Sequence, residues 1–445
     1  LLISATASLK DWWRISLTTS MASSSRRVIF LNRFFYPDHA ATSELLSDLA
    51  FELARRGLQI KVITSRLGYD NTANALPSHE TTNGVEVFRA WTSRQGRHRL
   101  HGRILDYVSF YIAAAWQLWC VARAGDVIVA KTDPPLLSVI SAAIALLRGA
   151  RLVNWQQDIF PEVAEALGIG GTAGRLGFAL LRRPRNWSLR RADLTVVVND
   201  PMSSTLNRLG VAQEKIRTIP NWADGKAIVP IDASKNALRT DWGLDNHFVV
   251  GYAGNLGRAH EIDTVLSTIR ALDQSPVDVA APESSPPVKF LFIGGGALRP
   301  SLEEQARKWR LGNVQFRDYQ PREQLAATLG VADVHLVILN PALEGLCMPS
   351  KLYAIAAAGR PAIFIGDPQG EVAQILRDVG CGFAVAPSNV IELKQRILDF
   401  ARSPELRRIM GARARAAFEQ RWDREIAVAN WQRVFEELIG SEARH

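Results

Sequence analysis

The sequence predicts an α/β protein made of two Rossmann-like, doubly wound parallel-sheet domains. Two successive series of short, Val/Ile-rich runs alternate with helix-length segments, and one stretch rich in Pro, Asp, Asn and Gly separates the two series. The length of 445 residues suits two or three domains at roughly 150 residues each. Strands that read as nearly unbroken apolar runs between helices belong to a parallel sheet covered on both faces, wound by right-handed crossovers.

The first series is RVIFLN (27–32), QIKVITS (59–65), GVEVFRA (84–90), DVIVAK (126–131), RLVNWQQ (151–157) and LTVVVN (194–199). An apolar-periodic helix from Thr42 to Arg56 follows the first run, and Gly57 closes it. Residues 216–247 carry the punctuation of a linker. The second series is FVVGYAGN (248–255), VKFLFIGGG (288–296), VQFRDYQ (314–320), VHLVIL (334–339), PAIFIG (361–366) and GFAVA (382–386). Residues 274–287 read as an exposed insertion. REIAVANWQRVFEELIG (424–440) has the apolar spacing of a helix that packs back on the first domain. The division expected is a disordered leader over 1–25, an acceptor-binding domain over 26–222, a linker over 223–247, a donor-binding domain over 248–422 and a crossover helix over 423–445. The leader does not read as a signal peptide, because Lys10, Asp11 and Arg14 interrupt its apolar residues.

With 47% hydrophobic and 22% charged residues the chain is neither disordered nor collagen-like. Cys120, Cys347 and Cys381 are odd in number, far apart and outside any CxxC pair. A disulfide framework or thiolate zinc site is therefore not expected, and a reducing cytosol fits best. The net charge of +9 favours an anionic partner. No uncharged apolar run reaches eighteen residues; residues 104–122 come nearest but carry Asp106, so no spanning helix is expected. Arginines cluster in SRQGRHRLHGR (93–103) and in LRRPRNWSLRR (181–191), the second with Trp187. Such clusters suit an anionic lipid surface or form a solvated arginine face. No nucleic-acid-binding motif accompanies them, so no nucleic acid partner is expected.

Candidate chemistry sits in the loops after strands. In YAGNLGRAHEIDTVL (252–266), Gly254 lets the backbone approach a ligand, Asn255 shares the turn, and Arg258 adds charge for a diphosphate; an ordinary turn with a solvated arginine is the plain alternative. Gly294, Gly295 and Gly296 follow a buried strand without forming GxGxxG, since position 299 is arginine. They serve either close approach to a base or ribose, or a tight turn. Tyr319, at the end of the 314–320 run, joins the donor-binding set. In NPALEGLCMPSKLYAIAAAGRP (340–361), Lys351 at a helix start suits a pyrophosphate, and Glu344 suits sugar hydroxyls or positive charge on the sugar ring in the transition state. An alanine-rich core helix with a surface lysine is the alternative. Glu371 opens a later helix and is placed to meet donor hydroxyls. In the first domain, Asp38, His39 and Thr42 occupy a strand-to-helix loop, where His39 reaches substrate or its neighbours cap the helix. Asp158 ends a strand and either orients the acceptor hydroxyl or caps the next helix. No DxD pair ends a strand, so neither a metal-held donor nor a cofactor is expected.

The order of these motifs resembles the GT-B glycosyltransferases of family 4, particularly bacterial exopolysaccharide members such as those of colanic acid and aminofucose-containing O-antigen pathways. FFYPDHAAT (34–42), QDIFPE (157–162), the GNLG turn (254–257) and PSKLYAIAAAGRP (349–361) carry the likeness, which spans 27–440. The resemblance implies retaining, metal-independent transfer from a nucleotide sugar, a UDP-sugar by expectation, to a polyprenyl-diphosphate-linked saccharide. It implies a cytoplasmic enzyme held peripherally on the membrane. Glu344, Asp158 and His39 are the expected catalytic residues. Where many members carry an Arg and a Lys five positions apart, this chain has Asn255 and His260, leaving Arg258 and Lys351 to supply the phosphate charge. A second family glutamate falls near Ala354, and a frequent histidine appears as Gln157. A nucleotide-sugar 2-epimerase, or a non-catalytic membrane-associated assembly protein, are the other readings of the same scaffold.

Overall fold

A computed structural model describes residues 27–38, 40–68, 75–95, 100–169, 171–274 and 286–440. The expected leader and most of the expected 274–287 insertion lie outside the described residues. The chain divides into two compact units, one of residues up to Ala130 with Ile140–Leu152 and Phe435 onward, the other of Lys131–Val139 and Val153–Val434.

The first sheet contains β1 (Arg27–Leu31), β2 (Gln59–Ser65), β3 (His79–Thr82), β4 (Val85–Ala90), β5 (Val127–Lys131), β6 (Arg151–Trp155), β7 (Leu194–Val197) and β8 (Ile216–Thr218), in the order β3-β4-β2-β1-β5-β6-β7-β8. The register sets Phe30 beside Val62 and Val129, and all three are almost fully buried. The second sheet contains β9 (Phe248–Ala253), β10 (Val288–Ile293), β11 (Val314–Arg317), β12 (Val334–Ile338), β13 (Ala362–Ile365) and β14 (Gly382–Val385), in the order β11-β10-β9-β12-β13-β14. Its strands pair in parallel throughout. Both predicted doubly wound domains are therefore present.

Two strands escaped the sequence reading. β3 runs antiparallel to β4 at the sheet edge, and its HETT residues alternate between exposed and half-buried, so no apolar run marks it. β8 has only three residues and lies inside the stretch that reads as a linker. The linker is also partly structured. Helix Ala237–Asp241 is pinned by buried Arg239, which donates to the Val331 carbonyl at 2.9 Å and pairs with Asp333 at 3.1 Å.

Helix Arg424–Gly440 buries Val428, Trp431, Phe435 and Leu438 at helical spacing. The Trp431 ring lies 4.8 Å from that of Trp155 on β6, and the Phe435 ring 6.2 Å from that of Phe30 on β1. The tail thus packs on the first sheet, each large aromatic contributing roughly 2–3 kcal/mol of apolar burial.

Helix Leu100–Val121 buries Phe110, Ala114 and Leu118. It is the one helix among the described residues long and apolar enough to cross a membrane, by length and composition alone. Asp106 is itself buried, and accepts hydrogen bonds from the Ser93 hydroxyl at 2.5 Å and the Gln95 N–H at 3.1 Å. Of the arginine clusters, the first falls partly outside the described residues. The second is partly consumed at home: Arg185 and Arg182 pair with Glu162, and Arg182 also with Glu165. The three cysteines are unpaired.

Candidate active site

The loops after β9 and β10 lock into each other. A Cβ on Gly294 would lie 2.4 Å from the Gly254 carbonyl oxygen, and one on Gly296 only 2.5 Å from the Leu256 backbone nitrogen. Those two glycines, at φ 121° and 125°, are thus required by backbone meeting backbone. Gly295 is packed differently: its Cβ would sit 3.1 Å from the ring of Tyr319, which covers this turn while remaining 58% exposed. Gly254, Leu256, Gly294 and Gly295 line a small pocket there together with Phe292 and Phe316.

Lys351 opens helix Lys351–Ala357 and reaches back onto the 254–260 loop. Its Nζ donates to the Tyr252 hydroxyl at 2.9 Å, lies 3.3 Å from His260 Nε2, and sits 4.5 Å above the Tyr252 ring. His260 Nδ1 is 2.8 Å from the Gly257 carbonyl, to which only a protonated nitrogen can donate. Nε2 is thereby left as the acceptor in the neutral ring. The Tyr252 hydroxyl donates to the Asn255 carbonyl at 2.8 Å. Burial holds the Lys351 amine down to about 8. Burial, then the Lys351 charge, hold His260 down to about 4, against the Gly257 bond. Lys351 therefore has neutral partners only and no ion pair among the described residues. Arg258, on the same loop, is exposed and likewise unpaired. Asn255 is exposed beside it.

A carboxylate group lies after β12 and β13. Glu344 Oε1 accepts the Glu371 backbone N–H at 2.9 Å, at the start of helix Glu371–Val379. Burial raises the Glu344 carboxyl against that bond, and the Asp367 charge adds to the rise. Glu371 is pushed up to about 8 by burial, then by the charges of Asp200 and Glu344, and its Oε2 is buried without a hydrogen-bond partner. Near pH 7 its side chain mostly holds a proton and can donate as well as accept. Asp158 bridges to Cys347, and the next residue, Ile159, donates its N–H to the Leu346 carbonyl at 2.9 Å. Asp158 keeps solvent access while protein atoms crowd around its carboxyl. This burial pushes its carboxyl up to about 6, with the Asp133 charge adding and Lys131 opposing.

Two residues here were not singled out from the sequence. Tyr252 reads as strand core, yet its hydroxyl holds Lys351. Lys131, only 2% exposed, ends β5 with Nζ 3.8 Å from the centroid of the Trp155 ring, and burial holds its amine well below the ordinary value. The carboxyl end of a parallel strand, where ligand crevices form, was the available clue. Gln157, at the family's histidine position, is buried and exchanges two amide hydrogen bonds with Asn221, at 2.9 and 3.0 Å. His39 lies outside the described residues. Its neighbour Asp38 accepts the Ala40 N–H at 2.8 Å and so shapes the turn before helix Ala41–Arg55, whose N-cap position is Ala40. Among the described residues no group of three or more His, Cys, Asp or Glu is placed to hold a metal ion.

Two doubly wound parallel sheets, the second with glycine loops and Lys351 at the carboxyl ends of its strands, make the GT-B fold, and comparison with known proteins identifies a glycosyltransferase. The glycosyl transferase 4-like domain matches residues 43–222, and the glycosyl transferases group 1 domain matches 234–417. Between them these two models span most of the chain, which belongs to the GT-B glycosyltransferases of family 4. It is 26% identical to the "Probable glycosyltransferase WbjE" of Pseudomonas aeruginosa, over 68% of this chain and 73% of that one. It is 25% identical to the "Putative colanic acid biosynthesis glycosyl transferase WcaI" of Escherichia coli, over 80% and 87%. Among solved structures, the sucrose-phosphate synthase of Thermosynechococcus elongatus superposes with a TM-score of 0.69 at 17% identity, covering 94% of this chain and all of that one. Anabaena HepE in complex with UDP and glucose superposes at 0.66 and 17% identity, covering 93% and 99%. WaaG, a glycosyltransferase involved in lipopolysaccharide biosynthesis, superposes at 0.66 and 15% identity, covering 92% and 99%. At these identities the structural likenesses speak to the fold.

Proposed function

We propose that this glycosyltransferase moves a sugar, with retention, from a nucleoside-diphosphate sugar of the UDP type to a polyprenyl-diphosphate-linked saccharide, in cell-surface polysaccharide synthesis at the cytoplasmic face of a membrane. The observation that carries the reading is Lys351: a half-buried lysine beside a glycine loop, its ammonium held by a neutral phenol and a neutral imidazole, with exposed Arg258, unpaired among the described residues, on the same loop. Burying a cation without a counter-charge is costly, and a diphosphate supplies the missing charge. HepE, of the same fold, is described with UDP and glucose, and WcaI carries a name from colanic acid synthesis.

In this reading the bond from the anomeric carbon to the diphosphate oxygen breaks while the acceptor oxygen bonds that carbon on the same face. The acceptor proton passes to the departing diphosphate, so the products are the nucleoside diphosphate and the extended saccharide. Lys351 and Arg258 stabilise the charge that develops on the leaving group, without need of a metal-held donor. Glu371 and Glu344 meet sugar hydroxyls, and Asp158 orients the acceptor hydroxyl. The test is incubation of the purified chain with labelled nucleotide sugars and polyprenyl-diphosphate saccharides, read by mass spectrometry of the lipid. Transfer is expected. A new sugar nucleotide formed without acceptor would replace this reading by the epimerase, and absence of nucleoside-diphosphate binding would replace it by the assembly protein.

A further inference from the structure

Helix Leu100–Val121 has two apolar faces. One is buried against β2 and β4 through Phe110, Ala114 and Leu118. The other is uncovered: Ile104, Val108, Ile112 and Trp116 recur every four residues, with Leu105 and Trp119 beside them, each between 39% and 68% exposed. A helix on the surface of a globular protein ordinarily turns polar residues outward. This one turns out six large apolar side chains.

The patch continues past the helix. Arg148, ending helix Leu137–Arg148, donates to the Ala122 carbonyl at 2.8 and 3.0 Å and places its guanidinium 5.0 Å from the Trp119 ring centroid. That clasp joins the ends of the two helices, and Leu146 and Leu147 beside it are 52% and 70% exposed. Charge points the same way. From Trp91 to Gly125 the sequence has five arginines and a single acidic residue, Asp106. Asp106 is buried and hydrogen-bonded inward, whereas Arg94 and Arg123 are exposed.

We propose that this face is a membrane-docking surface, on which the helix lies in the plane of an anionic bilayer. The Ile112–Trp116 stripe enters the acyl boundary, and the flanking arginines meet lipid phosphates. Tryptophans at one end of the stripe suit the headgroup level. A second copy of the chain is a poorer occupant, since face-to-face pairing would oppose arginines with no carboxylate to match them. Spanning is excluded for the folded chain, because the opposite face is part of the core and Asp106 is engaged there. The inference rests on the lipid-linked acceptor proposed above, whose diphosphate such docking would bring near the enzyme.

The full chain is mixed with vesicles of phosphatidylethanolamine and phosphatidylglycerol, or of phosphatidylcholine alone, and floated on a density gradient. Binding to the anionic vesicles is expected to exceed that to the neutral ones by at least about tenfold and to weaken with salt. The Ile112→Glu/Trp116→Glu double variant should lose about a hundredfold in partitioning. Its affinity for UDP should match that of the unaltered chain, which shows that it folds. Equal flotation of variant and parent, or no flotation of the parent, overturns the proposal. So does a parent dimer in sedimentation that the variant abolishes, which would assign the face to a second copy. Flotation by a parent that fails to bind UDP supports docking and counts against the donor-site reading alone.

Discussion

Replacing Lys351 by methionine should make the protein bind its donor less well while leaving it as stable or more so. The amine sits at about 8 instead of its ordinary 10.5, so burial destabilises its charged form by about 3 kcal/mol. Methionine removes that cost and keeps the contact with the Tyr252 ring. It also removes the donor to the Tyr252 oxygen and to His260 Nε2, a loss of about 1–2 kcal/mol. The balance is a stability gain of about 1–2 kcal/mol near pH 7. For the nucleotide, loss of a charge-assisted hydrogen bond is worth about 1.5–3 kcal/mol, or a UDP affinity weaker by about 10- to 150-fold. Calorimetry with UDP and urea unfolding, on both proteins, measure the two effects. The pH dependence adds a signature. Below about 8 the folded and unfolded chains both hold this proton and the burial cost is in full force. Between about 8 and 10.5 the unfolded chain holds more protons, so stability rises with pH in the parent and not in the variant. UDP affinity in the parent should decline over the same rise. A folded Lys351→Met protein whose UDP affinity stays within about threefold of the parent would refute the diphosphate role.

Glu371→Gln should stabilise the protein at pH 8 by on the order of a few kcal/mol and weaken sugar-nucleotide binding. The parent carboxyl, raised to about 8, keeps its proton in the folded state from about 4.5 upward, so parent stability falls as pH rises through that window. Thermal melts from pH 5 to about 9 check this, and parallel curves for the two proteins would contradict it. If ionised Asp158 orients the acceptor, kcat/KM should fall below about pH 6, and Asp158→Asn should lower the rate and abolish that limb; a limb that survives in the variant belongs to another group. Gly296→Ala places a methyl 2.5 Å from the Leu256 backbone at a φ of 125°, and should cost about 2–4 kcal/mol in denaturant unfolding. A cost under about 0.5 kcal/mol would show that the two loops give way freely.

The two-sheet plan was legible because buried parallel strands leave a local mark, apolar runs such as RVIFLN and FVVGYAGN at the spacing of strand and helix. β3 and β8 left none: HETT pairs at an exposed edge, and a three-residue strand is shorter than any pattern that could announce it. Lys351 and the glycine loops could be singled out as candidates from residue type and position alone. What they touch could not be, because contacts depend on segments far apart in sequence. The three glycines after β10 read either as an opening for a base or ribose or as a tight turn, and only the fold shows that two of them make room for the 254–256 backbone and the third for Tyr319. Glu344 reads as a carboxylate for sugar hydroxyls or for charge on the sugar ring, and the fold adds that it holds the first N–H of the helix that Glu371 opens. Composition along the chain determined the layers and their order. Only tertiary structure decided that a tyrosine from strand core and a histidine standing in for a cation would hold Lys351, because desolvation and hydrogen bonding are set by neighbours brought together in space.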